Sequence, residues 1–287
     1  MNTKPIAKTF KTHDGTDIRG YIYQAESPKA IIIVASATGV PQEFYRKFAE
    51  YAMTQHYNVV TFDYRGIGQS APTSLKGYRV DYRDWARQDL HAVIDAFNDD
   101  TLPLFIVGHS YGGHAIGLLD NHDVIDAAYC LGVGSGWHGW MPAAEKYRVL
   151  FMWNVVAPIL TRFKGYLAWK RLGMGEDLPL GVYKQWKRWC KNPYYFFDDP
   201  EFPEVHDMFA RVKMPIKAVV ATDDLWALPQ SRDAFFRHYR NAALDVQNIE
   251  PSTYNMKSIG HMGYFRQSAK TLWSDVTHFF DHHLSVS

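Results

Sequence analysis

Short apolar runs alternate with amphipathic segments along most of the chain. The runs that are typical of β-strands occupy residues 7–13, 17–25, 30–35, 58–64, 102–108, 127–133, 216–221 and 244–249. The run at 30–35 is continuously apolar, which indicates a strand buried on both faces. Apolar residues at helical spacing predict helices at 41–55, 81–97, 111–119, 230–239 and 267–284. Strands and helices in this alternation predict an α/β fold with a mostly parallel sheet and helices on both of its faces.

One long segment, residues 137–211, interrupts the alternation. It has no clear strand pattern and contains six of the nine tryptophans of the chain. Residues 151–160 and 182–190 have the spacing of short helices, and proline and glycine positions such as Pro158 are expected to break them. The segment is too long and too apolar for a solvated loop. We therefore expect a helical cap over the carboxyl ends of the strands, with an extra helical layer on the core as the alternative.

Length and composition agree with one large folded unit that carries this insertion. The chain has 287 residues, of which 47% are hydrophobic and 21% charged. That composition supports a packed core and excludes disorder as the main state. Residues 1–136 and 212–287 are expected to form the two parts of the core, and residues 137–211 the cap.

Charge and cysteine content narrow the classes of function. The net charge of +1 offers no electrostatic reason to expect nucleic acid or an anionic membrane as a partner. Two cysteines, Cys130 and Cys190, cannot form a disulfide framework, and no Cys/His spacing resembles a zinc site. The first ten residues lack the apolar segment of a secretion signal, and no apolar run near the start could span a membrane. We therefore expect a cytoplasmic protein without a membrane span, metal or other cofactor; its oligomeric state is open.

The strongest chemical signal is Gly108-His109-Ser110-Tyr111-Gly112. It follows one predicted strand and immediately precedes a predicted helix. A serine between glycines at such a turn is typical of a nucleophile, because the glycines allow close approach of neighbouring segments. The helix N-terminus adds positive potential where an oxyanion would form. Ser110 is therefore the candidate nucleophile.

With this motif in that context, the chain resembles the α/β-hydrolases over nearly its whole length. Residues 63–70, Asp-Tyr-Arg-Gly-Ile-Gly-Gln-Ser, are similar to a D-x-R-G-x-G-x-S loop that many members carry after the fourth strand. Residues 260–266 resemble the G-H-x-G-x-F-R signature of an uncharacterised hydrolase subgroup. The resemblance implies an α/β-hydrolase fold with an eight-stranded, mostly parallel sheet, a helical cap and a Ser…Asp/Glu…His triad in that chain order.

The resemblance also implies the two partners of the nucleophile. The acid is expected after the strand at 216–221, where the family register selects Asp224, with Asp223 as the alternative. The base is expected after the last strand, where His261 lies in a glycine-flanked loop. His261 would take the proton from Ser110, and the carboxylate would hold the imidazole tautomer and stabilise its charged form.

An oxyanion hole requires two backbone N–H groups. The resemblance implies that Tyr111, directly after the nucleophile, supplies one and the loop after the third strand supplies the other. In that loop Ser36-Ala37 replaces the usual His-Gly pair of the family. Alignment on the pair places the donor at Thr38, with Ala37 and Gly39 as alternatives.

Together these residues predict a carboxylesterase-like serine hydrolase that acts on a small-molecule ester or thioester with a small to medium acyl group. The tryptophan-rich insertion favours an apolar pocket rather than a charged one. Three alternatives stay open: an acyltransferase or a small-peptide peptidase with the same triad, and a ligand-binding sensor on a hydrolase scaffold.

Overall fold

The computed structural model describes residues 4–98 and 101–284, so the ends of the two predicted core segments, residues 1–3 and 285–287, lie outside the described residues. One eight-stranded sheet forms in the order β1-β2-β4-β3-β5-β6-β7-β8. The strands are β1 (Ile6–Lys11), β2 (Asp17–Tyr23), β3 (Ala30–Ala35), β4 (Tyr57–Phe62), β5 (Leu104–His109), β6 (Ala127–Leu131), β7 (Ile216–Ala221) and β8 (Leu244–Ile249). β2 pairs antiparallel with β1 and β4, and the other neighbours pair parallel. The mostly parallel sheet expected from the sequence is confirmed.

Helices cover both faces of the sheet. They are α1 (Arg46–Thr54), α2 (His91–Asp95), α3 (Tyr111–Ile116), α4 (Ala143–Phe151), α5 (Ala157–Lys164), α6 (Leu180–Trp189), α7 (Val205–Arg211), α8 (Pro229–Phe236) and α9 (Lys270–His283). α1 and α9 share one core, where Phe48 packs edge-to-face on Trp273. The opposite core includes Leu90 before α2, Ile116 of α3 and Phe235 of α8. Every residue of β3 is buried between the two layers, as its continuous apolar run predicts.

The segment between β6 and β7 is mainly helical, as expected, but its helices differ from the prediction. α4, a π-helical stretch at Met152–Val156 and α5 follow one another directly, so the expected break at Pro158 is wrong. Pro158 lies just after the wider π turn, and this local departure from α-helical hydrogen bonding accommodates its missing N–H within the continuous helical run. α4 and α7 were not predicted. In α4 this is because its large apolar residues are divided between a buried and an exposed face, which blurs the helical period.

The loop after β4 is anchored by a buried guanidinium. Arg65 bonds Asp89 through Nε at 2.7 Å and Asp14 through Nη1 at 2.6 Å. Asp14 belongs to the turn between β1 and β2, so the loop ties that hairpin to the centre of the sheet. In the part of the chain that the structure describes, no helix is long and apolar enough to cross a bilayer.

We expect Gly112→Ala to lower the free energy of unfolding by about 3 kcal/mol, at the upper end of overpacking costs. A Cβ on Gly112 would lie 1.9 Å from the carbonyl oxygen of Ala35, because α3 packs directly on β3. Urea unfolding followed by circular dichroism measures the change.

The matched control is Gly173→Ala, at an exposed position with open space around the added Cβ and φ of 65°. It should cost only about 1 kcal/mol, the penalty of a left-handed alanine. Equal losses in the two variants would contradict the close contact between α3 and β3.

Candidate active site

Ser110 occupies a strained turn between β5 and α3. Its φ of 50° and ψ of −113° lie outside the regions that non-glycine residues favour. The Ser110 amide donates to the carbonyl oxygen of Leu131 at 3.0 Å, and the Gly113 amide donates to the Ser110 carbonyl at 2.9 Å. A Cβ on Gly108 would lie 2.8 Å from Gly113, so a glycine is needed for this sharp reversal. The turn presents the hydroxyl at the carboxyl end of the sheet.

The structure brings Ser110, His261 and Asp224 into one hydrogen-bonded chain. His261 Nε2 lies 3.0 Å from Ser110 Oγ. On the other side of the ring, His261 Nδ1 lies 3.0 Å from both carboxylate oxygens of Asp224. Since Asp224 can only accept when ionised, Nδ1 carries the proton and Nε2 is left to accept one from the serine hydroxyl.

Asp224 is fully buried but remains ionised, because several donors converge on it. The Tyr264 hydroxyl donates to Oδ2 at 2.9 Å, and the amides of Trp226 and Ala227 donate to Oδ1 at 3.1 Å. Burial acts to raise the pKa of Asp224, but the charge of His261 and the hydrogen bonds from His261 and Tyr264 hold it below its usual range. The carboxylate can therefore stabilise a positive charge on His261.

The adjacent acid, Asp223, binds backbone instead of the imidazole. Its two carboxylate oxygens accept the amides of Ile259 and Gly260, each at 2.9 Å. These residues immediately precede His261. Of the two acids left open by the sequence, Asp224 contacts the ring and Asp223 holds the loop that carries it.

A buried histidine connects this loop to the loop after β3. The Ala37 amide donates to the Tyr45 hydroxyl at 2.9 Å, and the Tyr45 hydroxyl lies 2.9 Å from His109 Nδ1. His109 Nε2 donates to the carbonyl oxygen of His261 at 2.8 Å. Burial lowers the pKa of His109 to about 3, so the ring is neutral and accepts from Tyr45. The Ala37 amide, one of the alternatives that the sequence left open, therefore already has an acceptor.

The two amides expected to form the oxyanion hole are unpaired. Tyr111 begins α3, so its N–H has no acceptor within the helix. The amide of Thr38 has no acceptor among the described residues. The Thr38 side chain is held by the Tyr82 hydroxyl, which Oγ1 contacts, and the Tyr82 ring stacks on Tyr111 at 4.2 Å between centroids. Tyr82 therefore packs against both candidate donor residues.

These groups open into a cavity of about 470 Å³. Its lining includes Ser110, Thr38, His261, Trp169 and Trp186 and is mainly apolar. His114, one turn after Ser110, also lines it. Its Nε2 donates to the Gly134 carbonyl at 2.8 Å, and its Nδ1 is buried without a partner among the described residues.

Within residues 4–98 and 101–284, one group of side chains could hold a metal ion: His13, His91 and Asp95, whose ligand atoms lie within 4.8 Å of one another. None of them lines the cavity.

Sequence reasoning missed the supporting residues Tyr45, His109, Tyr264 and Tyr82. His109 and Tyr264 lie inside the quoted motifs, but an aromatic residue there carries no spacing signal of its own. Tyr45 and Tyr82 lie in helical or turn segments where an apolar role explains their pattern equally well. Their hydroxyl contacts span 8 to 64 residues of sequence and exist only in the folded chain.

Comparison with known proteins places this geometry among hydrolases. A model described as the alpha/beta hydrolase family matches residues 32–268, and no curated protein matches the sequence. A soluble variant of a monoglyceride lipase from Saccharomyces cerevisiae, solved with a substrate analogue, superposes with a TM-score of 0.72 and 16% identity over 100% of this chain and 97% of that one. An esterase from Pyrococcus furiosus (TM-score 0.66, 14% identity, 99% and 92% covered) and one from Exiguobacterium antarcticum (0.64, 14%, 96% and 100%) are also similar. At these identities the similarity shows the shared fold.

The buried histidines predict that the folded state loses stability as the pH falls. Burial lowers the pKa of both His109 and His114 to about 3, against about 6.5 in the unfolded chain. Between those values the unfolded state binds more protons, so stability is full above pH 6.5 and falls as the pH decreases towards 3. Each histidine should contribute a slope of about 1.4 kcal/mol per pH unit.

Urea unfolding at several pH values between 4 and 7 tests this. The free energy of unfolding of His114→Gln should depend less steeply on pH than that of the unchanged protein, because about one proton fewer is bound on unfolding. The control variant is Ser274→Ala, at an exposed residue without a titratable side chain, which should keep the original slope. The same slope in all three proteins would rule out a neutral buried His114.

Proposed function

The chain belongs to the alpha/beta hydrolase family, and on that premise we propose that it is a serine hydrolase that cleaves a carboxylic ester or thioester of a small to medium acyl group. The observation that carries the proposal is the continuous hydrogen-bonded chain from Ser110 Oγ through His261 to the buried Asp224. A protein that only binds a ligand would not require a strained serine at the end of that chain.

In the proposed mechanism, Ser110 Oγ attacks the acyl carbon while His261 Nε2 takes its proton. The C–O or C–S bond to the leaving group then breaks, and His261 returns the proton to the departing alcohol or thiol. Water attacks the acyl-enzyme with His261 again as base, which releases the acid and restores Ser110. Asp224 stabilises the imidazolium formed in each half of the cycle.

We assign the oxyanion to the backbone amides of Tyr111 and Thr38. Both are free to donate, whereas the Ala37 amide already donates to Tyr45. The Glu176 amide binds the Gly39 carbonyl at 2.8 Å and so fixes the loop on the other side of Thr38. Donors that are held in place before the reaction stabilise the developing negative charge without a reorganisation cost.

We further propose that residues 137–211 form a cap that encloses the acyl group. Trp169, Trp186 and Met174 from this segment line the cavity together with the nucleophile. A volume of about 470 Å³ lies in the range of small-ligand sites. The mainly apolar lining favours a short or medium hydrocarbon chain over a charged acyl group.

Hydrolysis of p-nitrophenyl esters from acetate to palmitate tests the proposal. We expect activity with an optimum at short to medium chain length, since a cavity of about 470 Å³ limits the size of the acyl group. Ser110→Ala should lower kcat by about 10⁴- to 10⁶-fold, the range for loss of a triad serine.

The control is Ser274→Ala, an exposed serine on α9, which should leave the rates unchanged. Retained activity in Ser110→Ala would contradict the assignment of the nucleophile. Absence of turnover with every ester, in a folded protein, would contradict an esterase of broad acyl range.

The adjacent acids provide a second prediction. Asp224→Asn should lower kcat by about 10⁴-fold, because an amide at this position favours the wrong imidazole tautomer. Asp223→Asn loses one of two acceptors for the loop amides and should lower kcat by about tenfold or less. Steady-state kinetics on the best p-nitrophenyl ester measures both, and the reverse order of effects would assign the acid to Asp223.

A further inference from the structure

A row of large apolar side chains lies exposed on the helices between β6 and β7. Tyr147, Phe151, Val155, Ile159 and Phe163 follow one another at intervals of four residues along α4, the π-helical stretch and α5. Their exposed fractions are 68, 59, 41, 52 and 78%. The row, named here the apolar ridge, extends over about 24 Å at the helical rise per residue.

The opposite side of the same helices is firmly anchored. Val149, Met152, Trp153 and Ala157 are buried in the main hydrophobic core, and Trp153 packs edge-to-face on Trp186 of α6. The ridge is therefore a second apolar face of these helices, separate from the face that packs on the core. Water-soluble monomers seldom expose a contiguous apolar surface of this kind unless it contacts another partner.

Positive charge is concentrated around the ridge. Residues 143–191 contain ten Lys and Arg but only three Asp and Glu, a net charge of +7, whereas the whole chain carries +1. The remainder of the chain is therefore net acidic, and the near-neutral total conceals a strong separation of charge. A partner with negative charge would be attracted to this side of the molecule.

A basic groove borders the ridge. It lies between α5 and α6 and is lined by Arg162, Lys184, Lys187, Arg188 and Lys191. Arg188 is paired with Asp199 and Glu201, and Lys187 donates to the carbonyl oxygen of Trp153. The other three cations have no ion-pair partner among the described residues. Arg162 lines the groove and Phe163 belongs to the ridge, and consecutive residues lie about 100° apart around a helix, so groove and ridge occupy adjacent faces of α5.

We propose that the apolar ridge and the basic groove together dock the protein onto a lipid bilayer with anionic headgroups. An apolar helix face inserted at the headgroup boundary, with cations beside it at phosphate level, is the arrangement that interfacial helices use. A second copy of the chain fits less well, because a two-fold contact through the ridge would bring two segments of net charge +7 together. The interaction is peripheral and needs no spanning helix.

Docking in this orientation would bring the cavity mouth to the bilayer. Arg148 of α4 and Met174 line the cavity, and Met174 is 38% exposed beside it. Arg148 immediately follows Tyr147 at one end of the ridge. An apolar ester dissolved in the membrane would then reach Ser110 without crossing water. This consequence rests on the proposed function, whereas the docking of the protein to the membrane does not.

Vesicle flotation of the full chain tests docking without any activity measurement. We expect binding to phosphatidylcholine vesicles that contain about 30% phosphatidylglycerol, and at least tenfold weaker binding to pure phosphatidylcholine. High salt should weaken the binding, since the cations lie at the surface. No detectable binding to the anionic vesicles overturns the proposal.

Two sets of variants separate the two parts of the surface. Phe151→Ser with Phe163→Ser, and separately Arg162→Gln with Lys184→Gln and Lys191→Gln, should each lower the affinity at least about tenfold. The matched control is Ile6→Ser with Val246→Ser, two apolar residues of similar exposure (48 and 46%) on the edge strands, which should bind like the unchanged protein. Equal binding by the ridge variant and the control overturns the proposal. Thermal unfolding verifies that each variant is folded.

A labelled cysteine identifies the face that enters the membrane. Both natural cysteines are buried, so Phe163→Cys can be labelled selectively with an environment-sensitive fluorophore. Its emission should shift to the blue with anionic vesicles, while labelled Ile6→Cys should not respond. A response of Ile6→Cys alone overturns the orientation. The ridge would instead be assigned to self-association if the unchanged protein sediments as a dimer, the ridge variant sediments as a monomer, and the protein does not bind vesicles.

Discussion

The close approach of α3 to the central strands is the constraint on which the rest of the structure depends. Gly112 leaves no space for a Cβ against Ala35, and Gly108 leaves none against Gly113. That contact forces the turn between β5 and α3 to reverse sharply, and Ser110 absorbs the reversal with a positive φ. The surrounding sheet must therefore hold the backbone of Ser110 in this conformation, because the strain would otherwise relax. The buried, fully parallel centre of the sheet provides the required rigidity.

Around that turn, polar groups connect three loops that lie far apart in sequence. The neutral His109 bridges the Tyr45 hydroxyl and the carbonyl of His261, while Asp223 binds the amides just before His261. Each of these groups has a partner of opposite hydrogen-bonding character, which is the condition for burying polar atoms at little cost. The loop after β3, the turn at Ser110 and the loop that carries His261 therefore behave as one unit. An imidazole held in this way needs little reorganisation in order to accept a proton.

The helical segment between β6 and β7 has two apolar faces with different environments. Trp153 and Ala157 pack on the core, and Phe151 and Phe163 face solvent among unpaired cations. The inner face packs on the core, where Trp153 contacts Trp186 of the cavity lining, and the outer face carries the proposed membrane contact. One pair of helices can serve both purposes because a helix presents residues four apart on a common side.

The local sequence alone determined the alternation of strands and helices and the turn at Ser110, since both depend on periodicity or on short-range glycine geometry. The choice of His261 came from the chain order that the resemblance to a known family implies. Only the tertiary structure shows that Asp224 contacts the His261 ring while Asp223 binds the Ile259 and Gly260 amides, because adjacent side chains of one turn point to different partners. It also shows that the Ala37 amide donates a hydrogen bond to Tyr45. The course of α4 and α5 past Pro158 and the exposure of the apolar ridge were likewise invisible to pattern and to composition. Hydrogen bonds, packing and charge distribution join residues distant in sequence, so they exist only once the chain is folded.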